Sequence, residues 1–138
     1  MSLTGTARND NSQNTHFIRR RVQFTDVGIN AGYKIGRLPS RALVMQISTH
    51  LSTVFNSTTS DTIQLGSTAA GVDILAATNV HTGATLGFAN ATAAAGLGMA
   101  VTSAGEVDVF VRLNPGAANT ATTGDVTVCL EFCPDNDG

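Results

Sequence analysis

The sequence predicts an all-β protein: an antiparallel β-sandwich of jelly-roll type, with a flexible N-terminal arm. Three observations carry that expectation. Val107, Val109, Val111 and Leu113 alternate with Glu106, Asp108, Phe110 and Arg112. Val126, Val128, Leu130 and Phe132 alternate with Thr127, Cys129, Glu131 and Cys133. Leu43, Met45, Ile47 and Leu51 stand against Val44, Gln46, Ser48 and His50. Side chains on a strand change face at every residue, so period two marks strands with one apolar and one mixed face. Helix signals are nearly absent, and about seven to nine short strands separated by turn formers suit a sandwich or jelly roll.

Taken in order, residues 1–15 are polar, rich in Asn, Thr and Ser, and without periodicity. They are expected to form a flexible arm that orders against a partner, leaving residues 16–138 as one β-sandwich domain. A first strand is expected from His16 to about Val27, with Ile18, Val22 and Phe24 on its apolar face and Arg20 awkwardly among them. Gly28 to Gly36 reads as a loop or short hairpin, its glycines supplying turn freedom. The long Leu43 strand follows Pro39, and Ile63 and Leu65 mark a short strand closed by Gly66. Gly71 to Asn79 reads either as one helical turn or as a strand. Thr82 to Phe88 is expected to be a short strand, Ala89 to Gly98 a small-residue loop, and Leu97, Met99 and Val101 a further strand. Asn114-Pro115-Gly116 then turns the chain between the last two strands. The expected core is Leu43, Met45, Ile47, Val107, Val109, Val111, Val126, Val128, Leu130 and Phe132.

A length of 138 residues suits one domain, enough to bury about two-thirds of the unfolded surface. Charged residues make up 13% of the chain, roughly half of the ~25% usual for soluble domains. Threonine, alanine, glycine and serine fill the gap, giving an exterior that is weakly charged and easily desolvated. Such a surface suits large protein contacts, although it also suits a plain Thr-rich β domain. Net charge is −2, so there is no global polyanion signal. The bases nevertheless concentrate in the front, from Arg8 to Arg41, with Arg112 behind, while most acids follow Asp61. A basic front and an acidic back can attract one another within or between protomers.

Cys129 and Cys133 sit four apart on one expected strand, about 13 Å between Cα atoms. A disulfide needs roughly 4.4–6.8 Å, so the two are expected to be free thiols, in keeping with a reducing cytoplasm. No signal peptide and no membrane-spanning stretch is read in the chain.

Chemistry is weakly signalled. His16, His50 and His81 have no Cys or carboxylate at ligand spacing, so no metal site is assigned. There is no Gly-x-Ser-x-Gly elbow and no P-loop, and Gly96-x-Gly98 lacks the other parts of a dinucleotide site. Glu106 and Asp108 share a strand face, which is also how a solvated face looks. No catalytic residue and no cofactor is therefore assigned, and the protein is not expected to be an enzyme.

The candidate interface residues are Arg19, Arg20, Arg21, Arg37, Arg41, Phe110 and Arg112. On a strand Arg19 and Arg21 point one way and Arg20 the other. Single-stranded nucleic-acid sites couple basic groups to aromatic platforms. Here Trp is absent, Tyr33 is the one tyrosine, and only Phe17 and Phe24 are near. An acidic protein surface is the better partner, with a solvated or salt-bridged edge strand as the plain alternative. The same aromatic poverty argues against a carbohydrate module. Phe110 and Cys129 are read either as one interface patch or as a second layer of core.

Three segments carry a family likeness: Gly71-Val72-Asp73-Ile74-Leu75-Ala76-Ala77, Glu106-Val107-Asp108-Val109-Phe110-Val111-Arg112-Leu113, and Gly124-Asp125-Val126-Thr127-Val128-Cys129-Leu130-Glu131-Phe132. Through them the region from Ile63 to Phe132 resembles small structural proteins of tailed bacteriophages, particularly capsid decoration (cement) proteins. The triple arginine and the cysteines stand outside the resemblance. It implies a compact β domain in the virion, assembled in the host cytoplasm, that oligomerises with itself and binds a major capsid protein. It implies no catalytic residues, no small-molecule substrate and no membrane. The rival readings are another surface-assembly subunit (phage tail, fibre or pilus) and a small polyanion-binding module built on Arg19 to Arg21.

Overall fold

The computed structural model describes residues 15–90 and 105–134. Among them the chain forms β1 (His16–Gln23), β2 (Tyr33–Leu38), β3 (Leu43–Thr53), β4 (Asp61–Gly66), β5 (Leu75–Asn79), β6 (Gly87–Asn90), β7 (Val107–Pro115) and β8 (Asp125–Cys133). These make two four-stranded sheets, in the orders β1-β8-β3-β6 and β2-β7-β4-β5. Every pairing within them is antiparallel. The last two strands insert between earlier ones, β7 between β2 and β4, β8 between β1 and β3. That interleaving is two Greek keys wound together, the jelly roll that the alternating patterns predict. The arm expected over residues 1–15 lies outside the described residues except for Thr15, as does the strand expected at Leu97, Met99 and Val101.

The two inner faces share one core. Val109, Val111 and Leu113 of β7 meet Val126, Val128 and Leu130 of β8 in a cluster that also holds Val22, Leu38, Val44, Phe55, Ile63 and Leu65, all fully buried. Phe132 belongs to it, and Val107 packs half-buried at its rim.

The structure corrects the expected core at β3. Leu43 and Met45 are each 38% exposed, whereas Val44 is fully buried. The cause is a bulge: Val44 pairs with Phe132 and Gln46 with Glu131, leaving Met45 without a partner. One extra residue inverts the phase of everything before it. From Ile47 onward the alternation holds, with Thr49 and Leu51 also buried.

Other boundaries move for local reasons. β1 ends at Gln23, where the Gln23 N–H donates to the Asp26 carboxylate (3.1 Å) and the Asp26 N–H to the Gln23 carbonyl (3.0 Å). This turn leaves Val27 on the surface. The expected loop from Gly28 to Gly36 contains one 3-10 turn, Ile29–Ala31, followed by β2, a short edge strand with a bulge between Lys34 and Gly36. Gly71 to Asn79 resolves to a strand rather than a helical turn in its second half. The strand expected at Thr82 to Phe88 begins only at Gly87 and runs through Ala89 and Asn90, which were expected to be loop.

One end of the sandwich is tied by polar groups. Asp61, at the start of β4, is fully buried and accepts from the Ser57 N–H (3.0 Å), the Ser57 hydroxyl (2.5 Å) and His81 Nδ1 (2.7 Å). Asn56 accepts from the N–H groups of Thr122 and Thr123, which binds the β7–β8 connection to the same end. Gly124 closes that connection at φ 143°, and a Cβ there would run into the Phe55 ring.

Candidate interaction surface

The two outer faces of the sandwich differ. On the β2-β7-β4-β5 face the charges are already paired. Lys34 lies 2.9 Å from Asp108, and Arg37 reaches both Asp108 (3.0 Å) and Glu106 (2.8 Å). The hydrogen bonds from Lys34 and Arg37 hold the Asp108 carboxyl below the usual carboxylate range. Further along, Arg112 Nε donates to the Asn30 carbonyl at 2.7 Å. Gln64 donates to the carbonyls of Ala70 and Gly71, both at 3.1 Å, and is itself buried. The loops around Asn30 and Ala70 therefore lie over this face. Gly32, at φ 93°, lets them meet: a Cβ there would strike the Ala69 backbone.

Among the described residues the β1-β8-β3-β6 face is open. Its outward side chains fall in rows set by the register: Phe17, Glu131 and Gln46; then Arg19, Cys129, Ser48 and Asn90; then Arg21, Thr127, His50 and Phe88. Phe17 is 62% exposed and Phe88 67%, one at each edge of the sheet. Arg21 makes a bidentate ion pair with Asp125, and that hydrogen bonding lowers the Asp125 carboxyl against the opposing pull of burial. Gln46 donates to Asn90 at 2.5 Å. Arg19 and Glu131 make no hydrogen bond or ion pair with another described residue, although they are diagonal neighbours. Between them Cys129 is half-buried; burial pushes its thiol up, Arg19 opposes that shift and Glu131 adds to it.

The sequence-predicted interface residues are thus distributed over the molecule. Arg19 and Arg21 share the open face. Arg20 turns inward at the sandwich edge, over the Tyr33 ring (5.0 Å to its centroid) and 3.7 Å from Asp26, with its Nε buried. Arg37, Phe110 and Arg112 lie on the opposite face, Phe110 between Lys34 and Gly66. Arg41 occupies the β2–β3 turn at φ 57°. Phe110 and Cys129 cannot form one patch, because β7 and β8 belong to different sheets and their outer faces point apart. Sequence reasoning did not name Glu131, Phe17 or Phe88 as interface residues; period two placed Glu131 and Phe17 outward, but nothing local showed that β1 and β8 are neighbours.

Among the described residues no group of three or more His, Cys, Asp or Glu is placed to hold a metal ion, and no helix is long and apolar enough to cross a membrane.

The fold is that of chains found in phage capsids. A chain in the cyanophage Pam1 capsid asymmetric unit superposes with a TM-score of 0.66 at 19% identity, covering 98% of this chain and 100% of that one. A chain in the capsid of Ralstonia phage GP4 gives 0.63 at 17% identity, over 93% of this chain and 89% of that one. A chain in the acid-stable capsid of Helicobacter pylori bacteriophage KHP30 gives 0.58 at 15% identity, over 88% and 89%. No protein-family model matches the chain, and no curated protein matches it in sequence.

Proposed function

We propose that this chain is a non-enzymatic structural protein of a bacteriophage virion, which decorates or stabilises the capsid through protein–protein contacts and associates with itself. The observation that carries the reading is the likeness, over 88% or more of each chain, to chains of similar size in phage capsids. A small jelly roll with a weakly charged exterior adds contact surface to a shell without needing a site for chemistry. The segment resemblance to decoration proteins points the same way. The major capsid protein is the expected partner on the shell.

The polyanion reading is weaker, because the arginines that suggested it are mostly neutralised. Arg21 is committed to Asp125 and Arg20 to Asp26.

Co-sedimentation of the purified chain with purified phage heads, over a salt series, tests the proposal. Saturable binding to heads with a shallow salt dependence is expected. A steep loss of binding with added salt, together with tight binding to free nucleic acid, would favour phosphate contacts instead.

A further inference from the structure

We infer that the outer face of the β1-β8-β3-β6 sheet is the seat for a second copy of this chain, joined by reciprocal Arg19–Glu131 ion pairs across a two-fold axis. This deepens the assembly reading above and rests on its self-association.

The contrast between the two faces comes first. The opposite face is occupied by the chain's own loops, and Lys34, Arg37, Glu106 and Asp108 pair there at 2.8–3.0 Å. The open face carries a cation and an anion, Arg19 and Glu131, that neither pair with each other nor with another described residue. A surface with a cation and an anion that no described residue compensates is complementary to itself. An isologous contact satisfies both at once, since residue i meets residue j and j meets i.

The register fixes where the axis must lie. Phe17 stands opposite Glu131 and Arg19 opposite Cys129, so the four side chains form a quadrilateral. Its sides are about 4.8 Å across the strands and about 6.7 Å along them, so the bisector of one diagonal runs within about 20° of the other. For two faces to meet, the axis lies in the interface. To exchange Arg19 with Glu131 it must bisect the line between them, which puts it close to the other diagonal, through Phe17 and Cys129. The exposed Phe17 rings of the two copies then meet near the axis, as do the two Cys129 thiols. The strands of the two copies cross steeply, as in orthogonal sheet packing. Four strands of about eight residues present a plane of roughly 500 Å², the order of area that a small interface uses per partner.

Charge reversal tests this on the chain alone, without any phage head. Mass in solution is measured by sedimentation for the wild type, Arg19→Glu, Glu131→Arg and the double reversal, with urea midpoints confirming that each folds. The wild type should be a dimer. Each single reversal acts twice per dimer and should weaken association by at least tenfold. The double reversal should restore it, and an equimolar mixture of the two singly reversed chains should form heterodimers. A short bis-maleimide should join wild-type and Cys133→Ser chains through Cys129 but leave Cys129→Ser uncoupled. A wild type that is monomeric, or a trimer indifferent to both reversals, overturns the proposal. So does a reversal that abolishes binding to heads while leaving the mass unchanged, which would make this face a seat for the shell. If the charge swap behaves as expected but no head is bound, the dimer stands and the decoration role falls.

Discussion

His81 Nδ1 lies 2.7 Å from a carboxylate oxygen of Asp61, and Asp61 itself has no exposed surface. The pair joins the end of β5 to the start of β4, and Ser57 adds two more donors to the same carboxylate. Replacing Asp61 with Ala strands a buried N–H, a buried hydroxyl and an imidazole at once. A buried group left without its partner costs about 1–3 kcal/mol, so Asp61→Ala should lose about 2–4 kcal/mol in urea denaturation. Asp61→Asn should also destabilise, because its amide presents donors where donors already point. A midpoint unchanged in either variant would show that this end is not held by the carboxylate.

The bulge in β3 makes opposite forecasts for adjacent residues. Val44→Ala should cost about 2 kcal/mol, from lost burial and the cavity left behind. Met45→Ala, on the surface side, should cost less than about 1 kcal/mol. An unbulged strand would reverse the order, so comparing the two urea midpoints decides the register.

The same strand shows what was legible in the sequence. Period two gave β7 and β8 residue by residue, because each runs unbroken with Val, Leu or Phe at its inward positions. It gave β3 only from Ile47 onward. Leu43, Val44 and Met45 are all apolar, so no local pattern says which of them turns in; the pairing with Phe132 does. β2 was hidden because the bulge between Lys34 and Gly36 breaks its alternation, and its strand character comes from pairing with β7. The triple arginine was visible as charge, but the neutralisation of Arg20 and Arg21 depends on Asp26 and Asp125, one a turn away and the other a hundred residues on. The open face needed the strand order, which no single segment encodes.

Acid should weaken the fold through named carboxylates. Hydrogen bonds from Lys34 and Arg37 lower Asp108, and the bond from Arg21 lowers Asp125. At Asp73 burial pushes the carboxyl up, but the hydroxyl and N–H of Ser67 together leave it below the usual range. A carboxyl that is more acidic folded than unfolded binds fewer protons in the native state. Its stabilisation is present above the unfolded value, ~4, and is lost as pH falls through the lower folded value. Urea midpoints should therefore decline below about pH 4, and less steeply in Arg21→Ala and Arg37→Ala. A profile of unchanged slope in both variants would remove these ion pairs from the account.

The thiols give a final forecast that combines geometry with electrostatics. Cys129 and Cys133 point the same way from β8, four residues apart, and both are free. Under denaturing, non-reducing conditions a thiol reagent should count two free groups per chain. In dilute native solution, with Cys133→Ser isolating Cys129, alkylation should be slower than for free cysteine near pH 8 and should still be rising above pH 9. The cause is burial, which disfavours the thiolate that reacts. The neighbours then set opposite signs. Glu131→Gln should speed the reaction by removing a negative charge, and Arg19→Ser should slow it by removing a positive one. A rate that ignores Arg19→Ser would place Arg19 too far from Cys129 for the register of β1 on β8 to be right.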